Sequence, residues 1–458
     1  MTTETTNIAS RAQAHQARMF ERINLHLERV SWDRATIETH QEQGLRELLA
    51  RATTRSRFHA ERLADVDPAT FRLADLPSLP VMTKADLMGR FDDVVTDPRL
   101  DRDLVEAHIA SMTAEPHHLL DEYLVVTSGG SSGVRGVFLY DWDAAADLTL
   151  ASIRAGLAGP PGPERAGRRP GRPRLATVSG SAGYHASQAL TRMMAPAIYD
   201  VVGLSITTPM PELTARLEAF DPDNLFAYPS GLALLANERL AGRLSIAPSR
   251  IRAMGEPFTD DLRALAARAF PEAAIVDFFG SSEGLFGQSA PGEKPIELAE
   301  DLAIVELVDT QGRPVPAGTP CARVLLTVLV NPVQPLIRYE LTDVMVEHPG
   351  PGAYRCVTVA GRSDDPFRYA DIVVHPITFR AALNARAAVI EYQVHQTERG
   401  ARVDVVTSGA FDPPTMAKEL EAALRTAGVP DPAVTVRPVA SLARNTATGK
   451  FRRFVPLP

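Results

Sequence analysis

Residues 123–136 read Tyr-Leu-Val-Val-Thr-Ser-Gly-Gly-Ser-Ser-Gly-Val-Arg-Gly. The β-branched run from Leu124 to Thr127 predicts a strand, and it leads directly into a loop of glycines and serines. Glycine lets backbone N–H groups turn toward an anion, and serine hydroxyls add hydrogen-bond donors. The stretch therefore predicts a phosphate-binding loop. No Gly-Lys-Ser/Thr closes it as in the common phosphate loop, and a plain surface turn is the alternative.

Length and composition indicate an ordinary globular protein of several domains. At 458 residues the chain exceeds what one hydrophobic core usually supports. A net charge of −8 provides no general attraction to nucleic acid or to anionic membranes, so neither is expected as a partner. The one basic stretch, 165–174, holds five arginines among Pro and Gly. We interpret it as a solvated loop, with a polyanion such as the charged tail of coenzyme A as the alternative.

The cysteine spacing and the N-terminal residues bear on where the protein is located. Cys321 and Cys356 lack the spacing of a disulfide framework or a metal site, so buried thiols are expected. Charged residues interrupt every apolar run among the first thirty residues, and no stretch of about twenty apolar residues follows. A cytoplasmic location is therefore expected.

The middle of the chain alternates between helical and strand patterns. Helices are predicted at 142–158, 186–195, 210–219, 230–241 and 259–269, and strands at 175–178, 198–206, 225–227, 250–254 and 274–279. Further helices are predicted within 10–30 and 44–64, and after Thr83 as a cap. This alternation predicts an α/β fold with a mostly parallel sheet covered by helices on both faces. Ligands of such sheets bind beyond the carboxyl ends of the strands.

The pattern changes after residue 302. Four short apolar strands are predicted at 303–308, 323–329, 344–348 and 354–359, and turn residues separate them. They predict an antiparallel β module. After Gly361 the order strand, helix, strand, helix, strand predicts a small α+β domain of about ninety residues.

Five further motifs accompany the glycine-rich loop. They are Met254-Gly255-Glu256-Pro257, Asp277-Phe278-Phe279-Gly280-Ser281-Ser282-Glu283-Gly284, Ile337-Arg338-Tyr339-Glu340-Leu341-Thr342-Asp343, Gly361-Arg362-Ser363-Asp364-Asp365 and Thr446-Ala447-Thr448-Gly449-Lys450. Each alone has an ordinary structural explanation. In this order and spacing, over essentially the whole chain, they resemble the AMP-forming adenylating superfamily, and its phenylacetate–coenzyme A ligase branch in particular. The segments 76–84 and 335–339 resemble that branch as well.

The resemblance implies a large N-terminal domain, 1–362, and a small mobile C-terminal lid domain, 363–458, with Asp364 as the hinge. It also implies two chemical steps. A carboxylate attacks the α-phosphate of ATP, which gives an acyl adenylate and pyrophosphate. A nucleophile, usually the thiol of coenzyme A, then displaces AMP.

The resemblance assigns roles residue by residue. The phosphates would be bound by Ser128, Gly130, Ser131, Ser132 and Gly133. Ser282, in the motif 277–284, would also belong to the nucleotide site. Gly255, Glu256, Pro257, Asp277, Phe278, Phe279 and Gly280 would border the adenine. Asp343 would accept hydrogen bonds from the ribose hydroxyls, and Arg362 would contact the ribose or phosphate edge. Glu283 would hold Mg²⁺, and Lys450 would reach the α-phosphate and the substrate carboxylate.

Two departures from the family pattern concern the loop and the second step. The loop lacks the usual Pro and Lys, and Arg135 is the available cation. Asp371 stands where the family has a glycine that lines the pantetheine channel, so it adds bulk and negative charge there. The acceptor is therefore either coenzyme A or another group: an amine, a carrier-protein thiol, or a nitrogen nucleophile such as an arylamine activated with nitrite.

The substrate pocket is expected around Tyr184, His185, Tyr228, Phe278, Ser281 and Leu285. These groups favour a flat acid that is aromatic or mainly apolar. No arginine is expected at the pocket, which makes a dicarboxylate less attractive. A nucleotide-binding regulator without catalysis is the rival hypothesis, and Lys450 and Glu283 argue against it. A monomer and a homodimer remain equally open.

Overall fold

The structure is a computed structural model. It describes residues 17–112, 117–128, 135–158, 171–179, 198–206, 208–362, 367–370, 372–374, 377–384, 386, 388–407, 410–442 and 453–457. The chain divides into two compact units, Met1–Leu341 with Met345–Val359, and Thr342–Val344 with Ala360–Pro458. The predicted boundary between residues 362 and 363 lies near the second junction and stays a prediction.

Twelve helices lie in the part of the chain that is described. They are α1 (17–29), α2 (Arg34–Arg55), α3 (Arg57–Arg62), α4 (Lys84–Gly89), α5 (Phe91–Val94), α6 (Arg102–Ser111), α7 (Trp142–Ala158), α8 (Met210–Phe220), α9 (Pro229–Leu240), α10 (Asp260–Ala269), α11 (Ile377–Asn384) and α12 (Pro413–Thr426). The pattern over 44–64 falls on two helices, because Ser56 ends α2 and caps α3 by accepting a hydrogen bond from the His59 amide. Thr83 caps α4 as predicted. None of the described helices is both long and apolar enough to cross a membrane.

A nine-stranded sheet forms the centre of the first unit. Its strands are β3 (Arg174–Ser179), β4 (Asp200–Ser205), β5 (Asn224–Ala227), β6 (Arg250–Met254), β7 (Ala274–Gly280), β8 (Phe286–Ser289), β9 (Ile296–Leu298), β13 (Asp343–His348) and β14 (Cys356–Arg362). The order is β13-β14-β9-β8-β7-β6-β5-β3-β4, and β3 to β7 pair in parallel. The predicted parallel α/β core is thus confirmed.

The antiparallel end of this sheet corrects one sequence expectation. Strands β13 and β14 were assigned to a separate β module, but they extend the large sheet through β8 and β9. The remaining module is a three-stranded antiparallel sheet of β10 (Ala303–Val308), β11 (Arg323–Val328) and β12 (Tyr339–Leu341). The spacing of apolar residues predicts a strand but not the strand with which it pairs. The sequence therefore could not show that these two strands belong to the large sheet.

The two faces of the parallel strands differ. One face packs a core that includes Leu225, Ile251 and Ala253 against residues of α8, α9 and α10. The opposite face carries a small cluster of Leu175, Phe226 and Met254. Side chains alternate between the two faces along each strand, so neighbouring residues have different surroundings.

The glycine-rich loop connects the two strands of a hairpin. Strand β1 (Leu124–Thr127) pairs antiparallel with β2 (Val137–Tyr140), which sequence analysis missed. Two buried amides satisfy the outer edge of β2. Gln334 accepts a hydrogen bond from the Leu139 amide (3.1 Å) and donates one to the Val137 carbonyl (3.1 Å), while Asn331 donates to the Leu139 carbonyl (2.9 Å). These bonds cover the outer edge of β2 at the Val137 carbonyl and at both backbone groups of Leu139.

A buried arginine joins the two segments that extended the family resemblance. Arg338 makes two 2.9 Å hydrogen bonds to Glu306 and donates to the carbonyls of Pro77 (2.8 Å) and Leu79. Its backbone adopts φ +50°. Its neighbour Tyr339 forms a parallel β-bridge with Met82. This clamp fixes the position of Tyr339.

The second unit is a small α+β domain. A hairpin of β15 (Phe367–Tyr369) and β16 (Ile372–Val374) precedes a four-stranded sheet of β17 (Val389–Thr397), β18 (Gly400–Thr407), β19 (Ala433–Pro438) and β20 (Phe454–Val455) in the order β19-β18-β17-β20. Its core includes Phe367, Phe379, Tyr392 and Phe454. The predicted alternation holds, with β17 and β18 forming an additional hairpin.

Arg338→Met should lower the free energy of unfolding by about 3–5 kcal/mol, because it leaves the Glu306 carboxylate unpaired in a site where only 15% of its side chain is exposed. Urea unfolding measures this change. The matched control is Arg72→Met, which breaks an Arg–Asp pair whose arginine is 67% exposed and should change stability little. Equal effects of the two substitutions would contradict the clamp.

Candidate functional site

Two hairpins meet beside the glycine-rich loop. The Tyr140 hydroxyl donates a hydrogen bond to the Ser282 carbonyl (2.6 Å), and the Ser282 hydroxyl donates to the Thr127 carbonyl (3.3 Å). Tyr140 and Thr127 belong to β2 and β1, while Ser282 lies in the turn between β7 and β8. The predicted phosphate loop and the acidic motif are therefore held together at the base of both turns.

A serine closes each of these turns. The Ser128 hydroxyl accepts a hydrogen bond from the Gly136 amide (2.8 Å), and the Ser281 hydroxyl accepts one from the Leu285 amide (3.2 Å). A Cβ atom on Gly136 would lie 2.9 Å from the Phe138 ring and 3.1 Å from the Ser128 hydroxyl, so this position requires glycine. Ser128 and Ser281, two predicted site residues, thus shape the turns.

Glu283 is the buried charge of this junction. Only 7% of the residue is exposed, although it lies in a turn. Burial, together with the negative charge of Glu283, raises the pKa of the Tyr140 and Tyr339 phenols above their usual value. Among the described residues, the Tyr339 hydroxyl and the Thr127 hydroxyl have no hydrogen-bond partner. The site thus concentrates a carboxylate and polar atoms where water is largely excluded.

This chemistry suits a hard divalent cation. In the described ranges no group of three or more His, Cys, Asp or Glu side chains forms a metal cluster. Mg²⁺ commonly takes only one or two carboxylates and completes its coordination with phosphate oxygens and water. A buried carboxylate beside the predicted phosphate loop would therefore suit Mg²⁺ bound together with a nucleotide.

The carboxyl ends of β6 and β7 form an exposed rim. Gly255, Pro257 and Gly280 are exposed, while Phe278 and Phe279 are partly buried. Gly255 adopts φ +78°, which favours glycine. These are the residues that the family resemblance assigned to the adenine.

Two acidic residues hold this rim in place. Glu256 accepts a hydrogen bond from the Ser230 amide (3.0 Å) at the start of α9. Asp277 accepts one from Arg263 (2.6 Å). Burial raises the pKa of the Asp277 carboxyl to about 6, although the charge and hydrogen bond of Arg263 oppose the change.

The remaining predicted site residues are distributed as follows. Leu285 and Tyr228 are fully buried in the first unit, at the β7–β8 turn and at the start of α9. Asp343 begins β13 and Arg362 ends β14, both in the second unit. Arg135, the expected loop cation, pairs with Glu106. Gly130, Ser131, Ser132, Gly133, Tyr184, His185, Asp364, Asp371 and Lys450 lie outside the described residues.

Sequence reasoning missed Tyr140 and Arg252. Tyr140 lies in the unpredicted strand β2, and no motif marked it. Arg252 is only 3% exposed in the middle of β6. The available signal was a charged residue inside a strand predicted to be buried, since such strands are nearly continuous in apolar residues.

Solved structures resemble this chain over most of its length. A 2-hydroxyisobutyryl-CoA ligase in the postadenylation state, in complex with R3-HIB-AMP, matches with a TM-score of 0.70 and 18% identity over 93% of this chain and 90% of the other. The amide bond synthetase McbA from Marinactinospora thermotolerans matches at 0.51, with 16% identity over 71% of this chain and 66% of the other. ATP-bound MatB from Rhodopseudomonas palustris matches at 0.52, with 15% identity over 71% and 65%.

The chain has the fold of the adenylate-forming ligases. The fold expected from the motifs is thereby confirmed. No family model matches the sequence, and no curated protein does. At 18% identity or less the likeness carries the adenylate-forming fold alone, and the chemistry has to be argued from the site.

Asp277→Asn should change how stability depends on pH. A carboxyl whose pKa rises from 3.8 to about 6 on folding binds protons more tightly in the folded state, so its contribution to stability falls as pH rises from 4 to 6. The free energy of unfolding of Asp277→Asn, minus that of the wild type, should therefore increase by about 3 kcal/mol between pH 4 and pH 7. Urea unfolding at several pH values measures it, and parallel pH curves would contradict the assignment.

Proposed function

We propose that the protein is an ATP-dependent, AMP-forming ligase that activates a carboxylic acid as an acyl adenylate. The single observation that carries the proposal is the buried Glu283 carboxylate in a turn beside the glycine-rich hairpin. That turn is held there by hydrogen bonds from Tyr140 to the Ser282 carbonyl and from Ser282 to the Thr127 carbonyl. A desolvated carboxylate next to a phosphate-binding loop is what a magnesium–triphosphate complex requires.

Charge neutralisation is the main task of the first step, because a carboxylate must attack a polyanion. Glu283 would hold Mg²⁺, which when bound draws negative charge from the phosphate oxygens. The backbone and hydroxyls of Ser128, Ser131 and Ser132 would hold the departing phosphates. Because Arg135 pairs with Glu106, the loop's own cation would have to leave that pair to reach a phosphate.

The nucleoside would be held by a rim and two charged groups. Gly255, Phe278 and Phe279 would border the adenine, with an aromatic ring as the stacking surface. Asp343 would accept hydrogen bonds from both ribose hydroxyls, a task for which a carboxylate has enough acceptor sites. Arg362 would contact the ribose or the phosphate.

Lys450 would supply the catalytic cation of the adenylation step. A compact ammonium on a flexible stem suits a group that contacts the α-phosphate and the substrate carboxylate and then withdraws. Asp364 would be the hinge about which the C-terminal domain moves between the two steps.

We further propose coenzyme A as the acceptor and an apolar or aromatic acid as the substrate. A 2-hydroxyisobutyryl-CoA ligase with this fold has been solved with CoA, which supports the first choice. McbA, with a similar fold, is an amide bond synthetase, and Asp371 would add bulk and negative charge to the expected pantetheine channel. An amine is therefore the second candidate acceptor.

The proposed function is tested by assaying the protein with a panel of carboxylic acids, beginning with aromatic acids. Hydroxylamine traps activated acyl groups as hydroxamates, and pyrophosphate release is measured in parallel. We expect acid-dependent formation of AMP and pyrophosphate. ATP binding without either product from any acid would favour a nucleotide-binding regulator.

Lys450→Ala should abolish adenylation while leaving ATP binding nearly intact, because the lysine acts on the transition state. Acid-dependent pyrophosphate exchange measures adenylation, and calorimetry measures ATP binding. The matched control is Lys418→Ala, which removes an exposed lysine of α12 in the same unit and should leave exchange unchanged. Full exchange in Lys450→Ala would contradict the assigned role.

Asp371→Gly should raise the rate of thioester formation with coenzyme A if the aspartate obstructs the pantetheine channel. Asp371→Asn separates charge from bulk, since it removes only the charge. Product analysis by mass, with and without coenzyme A, measures the rate. No change in either variant would favour an acceptor other than coenzyme A.

A further inference from the structure

A row of side chains crosses the face of the parallel sheet opposite to α8, α9 and α10. It runs over five strands and consists of Gly203, Thr177, Phe226, Arg252 and Val276, each paired in register with the next. The row lies two residues before the ends of β3 and β6, roughly 7 Å below the carboxyl edge of the sheet. It is therefore beneath the rim where the nucleotide is proposed to bind.

Among the described residues, no carboxylate pairs with the buried cation Arg252. The residue is only 3% exposed. One terminal nitrogen donates to Gln288 (3.2 Å), while Nε has no hydrogen-bond partner. Burial lowers the pKa of its guanidinium to about 10, so the group is still charged at neutral pH.

Two aromatic rings border the guanidinium. The Arg252 Cζ atom lies 4.4 Å from the centre of the Phe226 ring and 4.8 Å from that of Phe278. Rings attract the cation but accept none of its hydrogen bonds in the guanidinium plane, so the stacking does not satisfy the Nε–H donor. Phe278 is also a residue predicted to line the substrate pocket, which connects Arg252 to that pocket.

A second buried polar group lies across Phe226 from Arg252. The Thr177 hydroxyl is 1% exposed and has no hydrogen-bond partner among the described residues. Beside it, Gly203 contributes no side chain to the row. Residues 180–197, which follow β3 and include Tyr184 and His185, contain no Asp or Glu. That segment therefore offers no carboxylate to either donor.

We propose that Arg252 and Thr177 bind a second anionic, oxygen-bearing group on the substrate acid. The inference rests on the proposed function and narrows its substrate class. The reacting carboxylate would lie at the strand ends, and the body of the acid would pack against Phe226 and Phe278. A second carboxylate would accept a hydrogen bond from the Nε–H group of Arg252. This proposal differs from the sequence-based expectation that no arginine lies at the substrate pocket.

Matched pairs of acids test this substrate class. The pairs are benzoate with terephthalate, phenylacetate with 4-carboxyphenylacetate, and hexanoate with adipate, and pyrophosphate release gives kcat/KM for each acid. The wild type should prefer the diacid in at least one pair, by roughly tenfold to a hundredfold, as expected for a buried charged hydrogen bond. Arg252→Met should remove that preference mainly through KM, and Arg252→Lys should retain part of it.

Thermal stability without ligand provides a readout that does not require turnover. Because Arg252 is a buried charge without a carboxylate, Arg252→Met should raise the melting temperature. The matched control is Arg239→Met. Arg239 also stacks on a phenylalanine, Phe270 (5.3 Å), but it donates to the carbonyls of Ala269 and Ile246. Its loss should lower the melting temperature and leave the preference for diacids unchanged.

The outcomes separate the two proposals. If the wild type activates the monoacid better in every pair, or if Arg252→Met lowers the melting temperature as Arg239→Met does, the anion site is wrong and the ligase proposal stands. If no acid of either kind releases pyrophosphate, the ligase proposal fails and the anion site fails with it. If Arg252→Met does not fold, the preference of the wild type and of Arg252→Lys still decides the question.

Discussion

The site depends on one hydrogen bond, from the Tyr140 hydroxyl to the Ser282 carbonyl at 2.6 Å. It joins the strand that leaves the glycine-rich loop to the turn that carries Glu283. Together with the hydrogen bond from the Ser282 hydroxyl to the Thr127 carbonyl (3.3 Å), it brings the two turns together, although their strands lie in different sheets. Burial raises the pKa of the Tyr140 phenol, so it remains a hydrogen-bond donor at every physiological pH.

The framework around this bond includes buried polar groups that are hydrogen-bonded. Gln334 and Asn331 hold the edge of β2, and Arg338 with Glu306 holds Tyr339. Arg252 differs from them, because no carboxylate among the described residues pairs with it. A buried charge is costly unless it is compensated, so an anionic ligand at Arg252 would explain why the fold retains it.

The sequence was sufficient to predict many of the strands and helices, and less so to predict how they assemble. Leu124–Thr127 and Trp142–Ala158 were found because a strand of β-branched residues and a long amphipathic helix have clear local signals. Strand β2 has only four residues and follows a glycine-rich loop. The spacing of its apolar residues was therefore too short a pattern to predict it. For β13 and β14 the partner was missed, since pairing is decided by tertiary contacts that local pattern does not encode.

The residues of the candidate site also differ in how well the sequence could predict them. Motif order identified Glu283, Phe278 and Gly255, whereas Tyr140 and Arg252 became visible only through burial and hydrogen bonding. A tyrosine in a strand and an arginine between apolar residues are common in any sequence. What distinguishes these two is their surroundings, which are set by residues far away in the chain.

We propose that Glu283 and the glycine-rich hairpin together bind a magnesium–nucleotide complex. A crystal structure with Mg²⁺ and a non-hydrolysable ATP analogue tests it most directly. We expect the metal at about 2.1 Å from a Glu283 carboxylate oxygen, with the triphosphate against residues 128–136. A nucleotide bound elsewhere, with Glu283 contacting neither metal nor phosphate, would contradict it.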